Sequence, residues 1–367
     1  MSRRRAHGRT WVLWVTPALA VGGALLVVAA ALLVGGHDPL RSLGALAAGG
    51  FGTPERVLSI TLVRATPLLL AGLAVALAFR GGVWNIGAEG QLYAGAVAAV
   101  ALAAALPPLP GGLGVVLLLG GGVVAGAAWA ALPAWLRFRS GTSEVITTLL
   151  MNFIALHLTS LLVRGALQES RGVFPQSESL PEALRLPALV PGSRLHVGFA
   201  LGVALVILLG WALARTDWGF TVRATGASEA AARLSGRMDA KRGAARLLVL
   251  SGGLAGLAGA VEVTGVTYAL YEDLSPGWGY TAIAVALLGG LRPGGVLLAA
   301  VFLGGLEGGA SAMQRAAGVP AVWVQGIEAT LILAVILAGG WTARAWRRSQ
   351  AADSAAVVGE QGAEASA

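Results

Sequence analysis

The chain has 367 residues, 56% of them hydrophobic and only 12% charged, with a mean hydropathy of +0.75, which excludes a soluble domain and implies a polytopic α-helical membrane protein. Its net charge of +8 does not indicate a nucleic-acid partner, because the arginines bracket apolar runs and no aromatic-interleaved basic patch occurs. Cysteine is absent, the four histidines (His7, His37, His157, His196) lack ligand spacing, and neither GxxxxGK(S/T) nor GxSxG occurs, which leaves no metal, nucleotide-hydrolysing or serine-hydrolase motif.

Residues 1–10 form a tail with Arg3, Arg4, Arg5 and Arg9, expected in the cytoplasm, ahead of a transmembrane domain spanning 11–343. The first apolar run, Trp11–Val34, is too long for a signal-peptide core and reads as a retained span. A second span covers Val57–Phe79, with Arg64 near its outer end, able to snorkel or face other helices. Arg80 leads into GGVWNIGAEGQ (81–91), an irregular segment whose glycines interrupt the helix. A third span runs over Leu92–Leu106 and stops at Pro107-Pro108-Leu109-Pro110. The fourth covers Leu113–Leu136, with Arg137 and Arg139 marking the inner side. GTSEVITTLLMNFIA (141–155) opens the fifth, which ends near Val163, and residues 164–194 form a polar outer loop. The sixth span, Leu195–Ala214, returns inward.

Residues 215–246 are the longest polar island, with seven cations: Arg215, Arg223, Arg233, Arg237, Lys241, Arg242 and Arg246. Loops this basic stay cytoplasmic. The centre reads as a short helix over Ser228–Gly236. Ser228 caps it, Glu229 suits the positive end of the dipole, and Ala230, Ala231 and Ala232 favour helix. Arg233 lies i+4 from Glu229, Leu234 follows, and Gly236 suits the exit. Two turns cannot hold themselves together in water, so this helix is expected to lean on another surface, the alternative being an ordinary solvated loop.

Beyond the loop, Leu247–Tyr268 crosses outward. Residues 279–313 form two apolar halves interrupted by Leu291-Arg292-Pro293-Gly294-Gly295, the first a tilted span or a re-entrant half-helix. The last span, Trp323–Trp341, ends at Arg344, Arg347 and Arg348, in a polar cytoplasmic tail (344–367) expected to be disordered. Inner segments then hold 17 Lys and Arg against eight outside, with Arg292 unassigned. That asymmetry predicts about ten segments, interrupted half-helices included, with both termini inside.

Polar groups within this apolar frame mark the candidate path. Non-helical backbone at membrane depth survives only when buried in protein or lining a cavity, and a break can bring a half-helix terminus to a polar route. Asn85, Glu89 and Gln91 in the broken segment, with Asn152 on the fifth span, are the candidate substrate-path residues; a plain cytoplasmic turn is the other reading. Glu262, Glu307 and Glu328 lie in apolar runs, where a carboxylate is costly unless paired, and would be the relay of an ion-coupled carrier. Gly252/Gly256 and Gly304/Gly308 have the spacing of close helix packing.

GGVWNIGAEGQ, GTSEVITTLLMNFIA, RATGASEAAARLSG followed by LVLSGGLAGLAGAVE, and GYTAIAVALLGGLRPGG occur in this order. Together they resemble the permease subunits of bacterial ABC importers, over roughly residues 55–340. The resemblance is to the branch served by nucleoside-binding lipoproteins, a relative of the ribose and simple-sugar permeases. It implies a multi-pass protein of the bacterial cell membrane that is not itself an enzyme. It implies a second permease, identical or related, an extracytoplasmic binding lipoprotein, and cytoplasmic ATPase subunits holding the ATP and magnesium, with no cofactor on this chain. Arg223–Gly236 then matches the coupling helix that docks on the ATPase. Asn85-Ile86-Gly87-Ala88-Glu89-Gly90 stands where the sugar branch carries a Gly-Gly-x-Asp-Leu-Ser type segment, which favours nucleosides; a ribose-type permease and an ion-coupled secondary transporter are the alternatives.

Overall fold

The computed structural model describes residues 19, 22–107, 112–228, 240–320, 322–334 and 337. The described helices are α1 (Gly22–Val34), α2 (Pro39–Phe51), α3 (Pro54–Arg80), α4 (Ala88–Ala105), α5 (Leu113–Ser140) and α6 (Glu144–Val163). They continue with α7 (Val197–Arg215), α8 (Asp217–Ala227), α9 (Ala240–Glu262), α10 (Trp278–Leu288), α11 (Pro293–Ala317) and α12 (Val322–Ala334). Among the described residues seven helices are long and apolar enough to cross a membrane, up to eight if the bent pair α1 and α2 is one span. The helices α10 and α12 are shorter apolar pieces. The expected polytopic helical fold is therefore present.

Two compact units are distinguished: Leu46–Ala312, and a smaller one built from residues 1–45 and 313–367. In the smaller unit the turn after α1 places Gly36 at φ +77, and Trp323 packs on Gly35 and edge-on to His37, ring centroids 5.9 Å apart.

The core of the larger unit is a set of close backbone approaches. On α9, Gly252 and Gly256 meet Gly122 and Gly126 of α5, and Gly95 of α4 also approaches the Gly256 carbonyl. On α11, Gly304 lies against the backbone of Thr61 and Ala65 in α3, and Gly308 against Ile60. Both glycine spacings singled out in the sequence thus serve helix packing.

Several boundaries differ from expectation. The helix α4 begins at Ala88, so Glu89 and Gln91 belong to its first turn rather than to an irregular segment. The polar island is mostly helical: α8 fills 217–227, with Thr216 Oγ1 accepting from the Gly219 amide at 3.1 Å, and α9 starts at Ala240 rather than Leu247. Hydropathy marks the bilayer edge, whereas backbone hydrogen bonding carries a helix past it. Of the expected coupling helix only Ser228 is described, as the residue ending α8; Glu229, Ala230, Ala231, Ala232, Arg233, Leu234 and Gly236 lie outside the described residues.

The interrupted element over 279–313 is a hairpin of α10, a turn and α11. Arg80 donates to the Leu291 carbonyl in that turn at 2.9 Å, while Arg64, toward the other end of α3, reaches Glu307 on α11 at 3.9 Å. This places Arg292 at the Arg80 end of α3.

Candidate functional site

The broken segment is built on a polar stripe of α6. Glu144, Thr148 and Asn152 recur every fourth residue and so share one face of an otherwise apolar helix. After α3 ends, with Gly82 at φ +77, the chain runs irregularly to Gly87 along that face. The Trp84 amide donates to Glu144 Oε1 at 3.3 Å, and Glu144 is paired with Arg137. The Ile86 amide donates to Thr148 Oγ1 at 3.2 Å, and Asn152 donates to the Ile86 carbonyl at 2.9 Å while accepting from the Gly90 amide at 2.8 Å.

Asn85 ties this segment to the core. Its Nδ2 donates to Gln91 Oε1 at 2.9 Å and to Ser251 Oγ at 2.8 Å, and its Oδ1 accepts from Gln91 Nε2 and the Gly87 amide. Ser251 in turn donates to the Ala74 carbonyl at 2.7 Å. Ser251 lies four residues, about 6 Å at 1.5 Å per residue, past Leu247, where the apolar part of α9 begins, so the segment is anchored within the apolar layer. Non-helical backbone survives there because protein groups satisfy it. Asn85, Glu89, Gln91 and Asn152 are 0, 2, 1 and 0% exposed, respectively. The structure brings all four together as buried supports of the broken segment.

Glu89 joins the beginnings of two helices. It lies in the first turn of α4, and its Oε2 accepts from the Gly279 amide in the first turn of α10 at 2.6 Å. Ser275 Oγ accepts from the Trp278 and Gly277 amides at 2.9 and 3.1 Å, and the Ser275 amide donates to Tyr93 Oη at 3.1 Å. Unpaired amides and a positive dipole end mark a helix N-terminus, and a carboxylate satisfies both. Trp278 Nε1 also donates to Glu307 Oε2 at 3.3 Å. Glu307 thus has Trp278 and Arg64 as partners, and Glu262 is buried on α9. Glu328 is buried in the smaller unit.

The loop 164–194 is bound to the connector between α9 and α10. The amides of Leu186, Leu180 and Ser177 donate to the carbonyls of Thr264, Tyr268 and Leu270 at 2.8, 2.7 and 2.9 Å. Arg185 stacks over the Tyr268 ring at 4.4 Å. Glu272 accepts from Ser160 and Arg164, which hold its carboxyl below the usual carboxylate range. The same connector carries Ser275, so this loop and the start of α10 form one bonded assembly.

At the Arg80 end of α3, α8 packs against it. A Cβ on Gly226 would collide with the Arg80 carbonyl oxygen, and one on Gly82 would lie 3.4 Å from Gly226 Cα. The helix α8 thus touches the first residues of the break backbone to backbone.

Residues 57–341 match the family described as branched-chain amino acid transport system / permease component. The chain belongs to this permease family. The permease is 39% identical to a glucose ABC transporter permease of Haloferax volcanii over 341 residues, 89% of this chain and 88% of that one. It is 37% identical to a guanosine ABC transporter permease of Bacillus subtilis, covering 88% of this chain and 92% of the relative. A nucleoside ABC transporter permease of Lactococcus lactis is 30% identical, with 87% and 89% covered. The permease is accordingly a multi-pass cell-membrane protein and a translocation subunit.

Sequence reasoning overlooked Thr148, Ser251 and Ser275 at this site, although Ser251 is a lone hydroxyl in an apolar run and the spacing Glu144, Thr148, Asn152 was readable. It also overlooked α8, whose signal was Thr216 followed by Asp217 at a helix start.

Proposed function

We propose that the permease forms the membrane path of an ATP-driven nucleoside importer. The observation that carries this reading is the meeting of two helix N-termini, those of the span α4 and the shorter α10, at one buried carboxylate. Broken helices of this kind are where transporters place polar routes. Asn85, Gln91, Asn152 and Glu89 hold the walls of the route in position, and direct contact with substrate is secondary to that. Two relatives named for guanosine and for nucleosides support the substrate class, as does the Asn85–Gly90 segment. A simple sugar is the second reading, favoured by the glucose permease relative.

In this proposal ATP and magnesium are held by separate cytoplasmic ATPase chains and this chain binds no cofactor. A second permease, identical or related, completes the path. The Ser228–Gly236 stretch docks on the ATPase, and α8 passes its movement to Arg80 and the broken segment. The outer loop 164–194 receives the binding lipoprotein. Its Arg164, Arg171, Arg185 and Arg194 stand with Glu169, Glu178 and Glu182, so complementarity rather than bulk charge sets the fit.

Reconstitution in liposomes tests the assignment. Labelled nucleoside should accumulate against a gradient only with the ATPase chains, the binding protein and ATP present, while glucose and ribose are not accumulated. Preferential accumulation of a sugar would move the permease to the second reading. Uptake by this chain alone, driven by a proton or sodium gradient and indifferent to ATP, would overturn the importer altogether.

Coupling has its own test. Gly226→Ala pushes α8 off the Arg80 carbonyl. The assembled complex should then hydrolyse ATP while uptake falls by about tenfold or more, the scale on which ångström-level misplacement acts. Uptake and ATPase activity that stay in their wild-type ratio would remove this contact from the coupling route.

A further inference from the structure

We propose that Arg64 and Glu307 form a solute-binding pair on the transport route, facing water rather than lipid. Arg64 lies seven residues past Val57, where the apolar run of α3 begins, about 10 Å along it at 1.5 Å per residue. The helix α3 is a core element, with 83% of its most apolar window buried. From Thr61 to Ala78 every residue is buried except Leu62, which is half-buried, and Arg64, whose side chain is 46% exposed. An ionisable side chain at this depth faces a water-filled cavity or the interior of a bundle. On a helix enclosed at its other positions, the opening at Arg64 is a gap between elements and not a lipid-facing stripe.

The pair has bonding capacity to spare. Arg64 Nη1 stands 3.9 Å from Glu307 Oε2, beyond hydrogen-bond length, and its guanidinium makes no hydrogen bond among the described residues. Glu307 Oε2 accepts from Trp278 Nε1 at 3.3 Å, which fixes the carboxylate, while Oε1 has no partner among the described residues. Trp278 precedes Gly279, so the pair continues the junction held by Glu89. Glu262 of α9, 3% exposed, lies within electrostatic reach of Arg64, Glu307 and Arg194. An occupant thus meets free donors on Arg64 and a free acceptor on Glu307, with no excess of positive charge. That combination suits an uncharged solute with hydroxyls and ring acceptors side by side, such as a nucleoside. A phosphorylated solute is opposed by the carboxylates. The inference rests on the transport reading and adds the groups that touch the solute.

The chain contains no cysteine, so one introduced thiol reports its own surroundings. In the assembled transporter, Arg64→Cys should react with a charged methanethiosulfonate about tenfold or more faster than Val124→Cys, an exposed apolar position on α5, because the reactive thiolate forms in water and not in lipid. Labelling is read by mass on this chain. A rate as slow as that of Val124→Cys would overturn the site, placing Arg64 against lipid. Slow labelling in the assembly with fast labelling of the separated chain would also overturn it, making this face a contact with the second permease. Arg64→Gln and Glu307→Gln should each lower uptake by about tenfold or more. Assembly and thermal unfolding should stay at wild type, since a loose, partly exposed pair adds little stability. Wild-type uptake in both variants, or uptake lost in step with thermal stability, would overturn the contact with solute. The comparison uses whichever solute wild type accumulates, so a sugar would revise the substrate and leave this test standing, and the labelling arm needs no transport at all.

Discussion

Replacing Gly256 by valine should abolish the folded permease. A Cβ at this position would run into the Gly122 carbonyl oxygen and come within 2.8 Å of Gly126 Cα, while Gly95 of α4 also packs on the Gly256 backbone. No side-chain rotation relieves a collision with backbone, so α5 and α4 must both withdraw from α9. The loss should lie at the top of the roughly 1–3 kcal/mol range of overpacking, or above it, because contacts along three helices are lost together. Fluorescence-detected size exclusion after a heating series measures this, and the variant should give little monodisperse protein. Gly210→Val on α7, where nothing lies within 4 Å of an added Cβ, should behave as wild type. Equal thermal profiles for the two variants would mean that the glycine contacts do not hold these helices together.

Replacing Glu89 by alanine should cost both stability and transport. The Gly279 amide loses its acceptor in the interior, where a charge-assisted hydrogen bond contributes about 1.5–3 kcal/mol. The start of α10 then keeps its bonds to Ser275 and, through Trp278, to Glu307, but loses its tie to α4. Uptake by the assembled complex should fall by about tenfold or more while assembly persists. Glu89→Gln keeps an acceptor for Gly279 and should recover most of the thermal stability. If glutamine restores stability but leaves uptake at the alanine level, the negative charge itself serves transport and Glu89 is more than a support. Wild-type uptake in both variants would return the segment to the status of a structural turn.

Much of this organisation is legible from residues. Gly81 and Gly82 with Asn85 predict an interruption after the second span, and the structure places one there, satisfied by protein groups at depth. Arg292-Pro293-Gly294-Gly295 predicts a divided element, and α10 and α11 meet at that point. The start of α4 at Ala88 was not legible, because glycines at 81, 82, 87 and 90 signal a break without saying which glycine tolerates a helix. Nor was the role of Glu89. Nothing local says that its acceptor oxygens will find an amide 190 residues further along the chain.

The sequence by itself determined the class and the family, because hydropathy and ordered motifs are properties of the linear chain. Tertiary structure alone decided which helices are inside. The spans α3 and α5 have mean hydropathies of 2.0 and 2.1, yet 83% of one and 28% of the other is buried. Leucine is as well solvated by acyl chains as by other leucines, so apolarity does not distinguish a core helix from a lipid-facing one. What separates them is whether another backbone lies close enough to require glycine or a polar partner, and that is settled only when the helices meet.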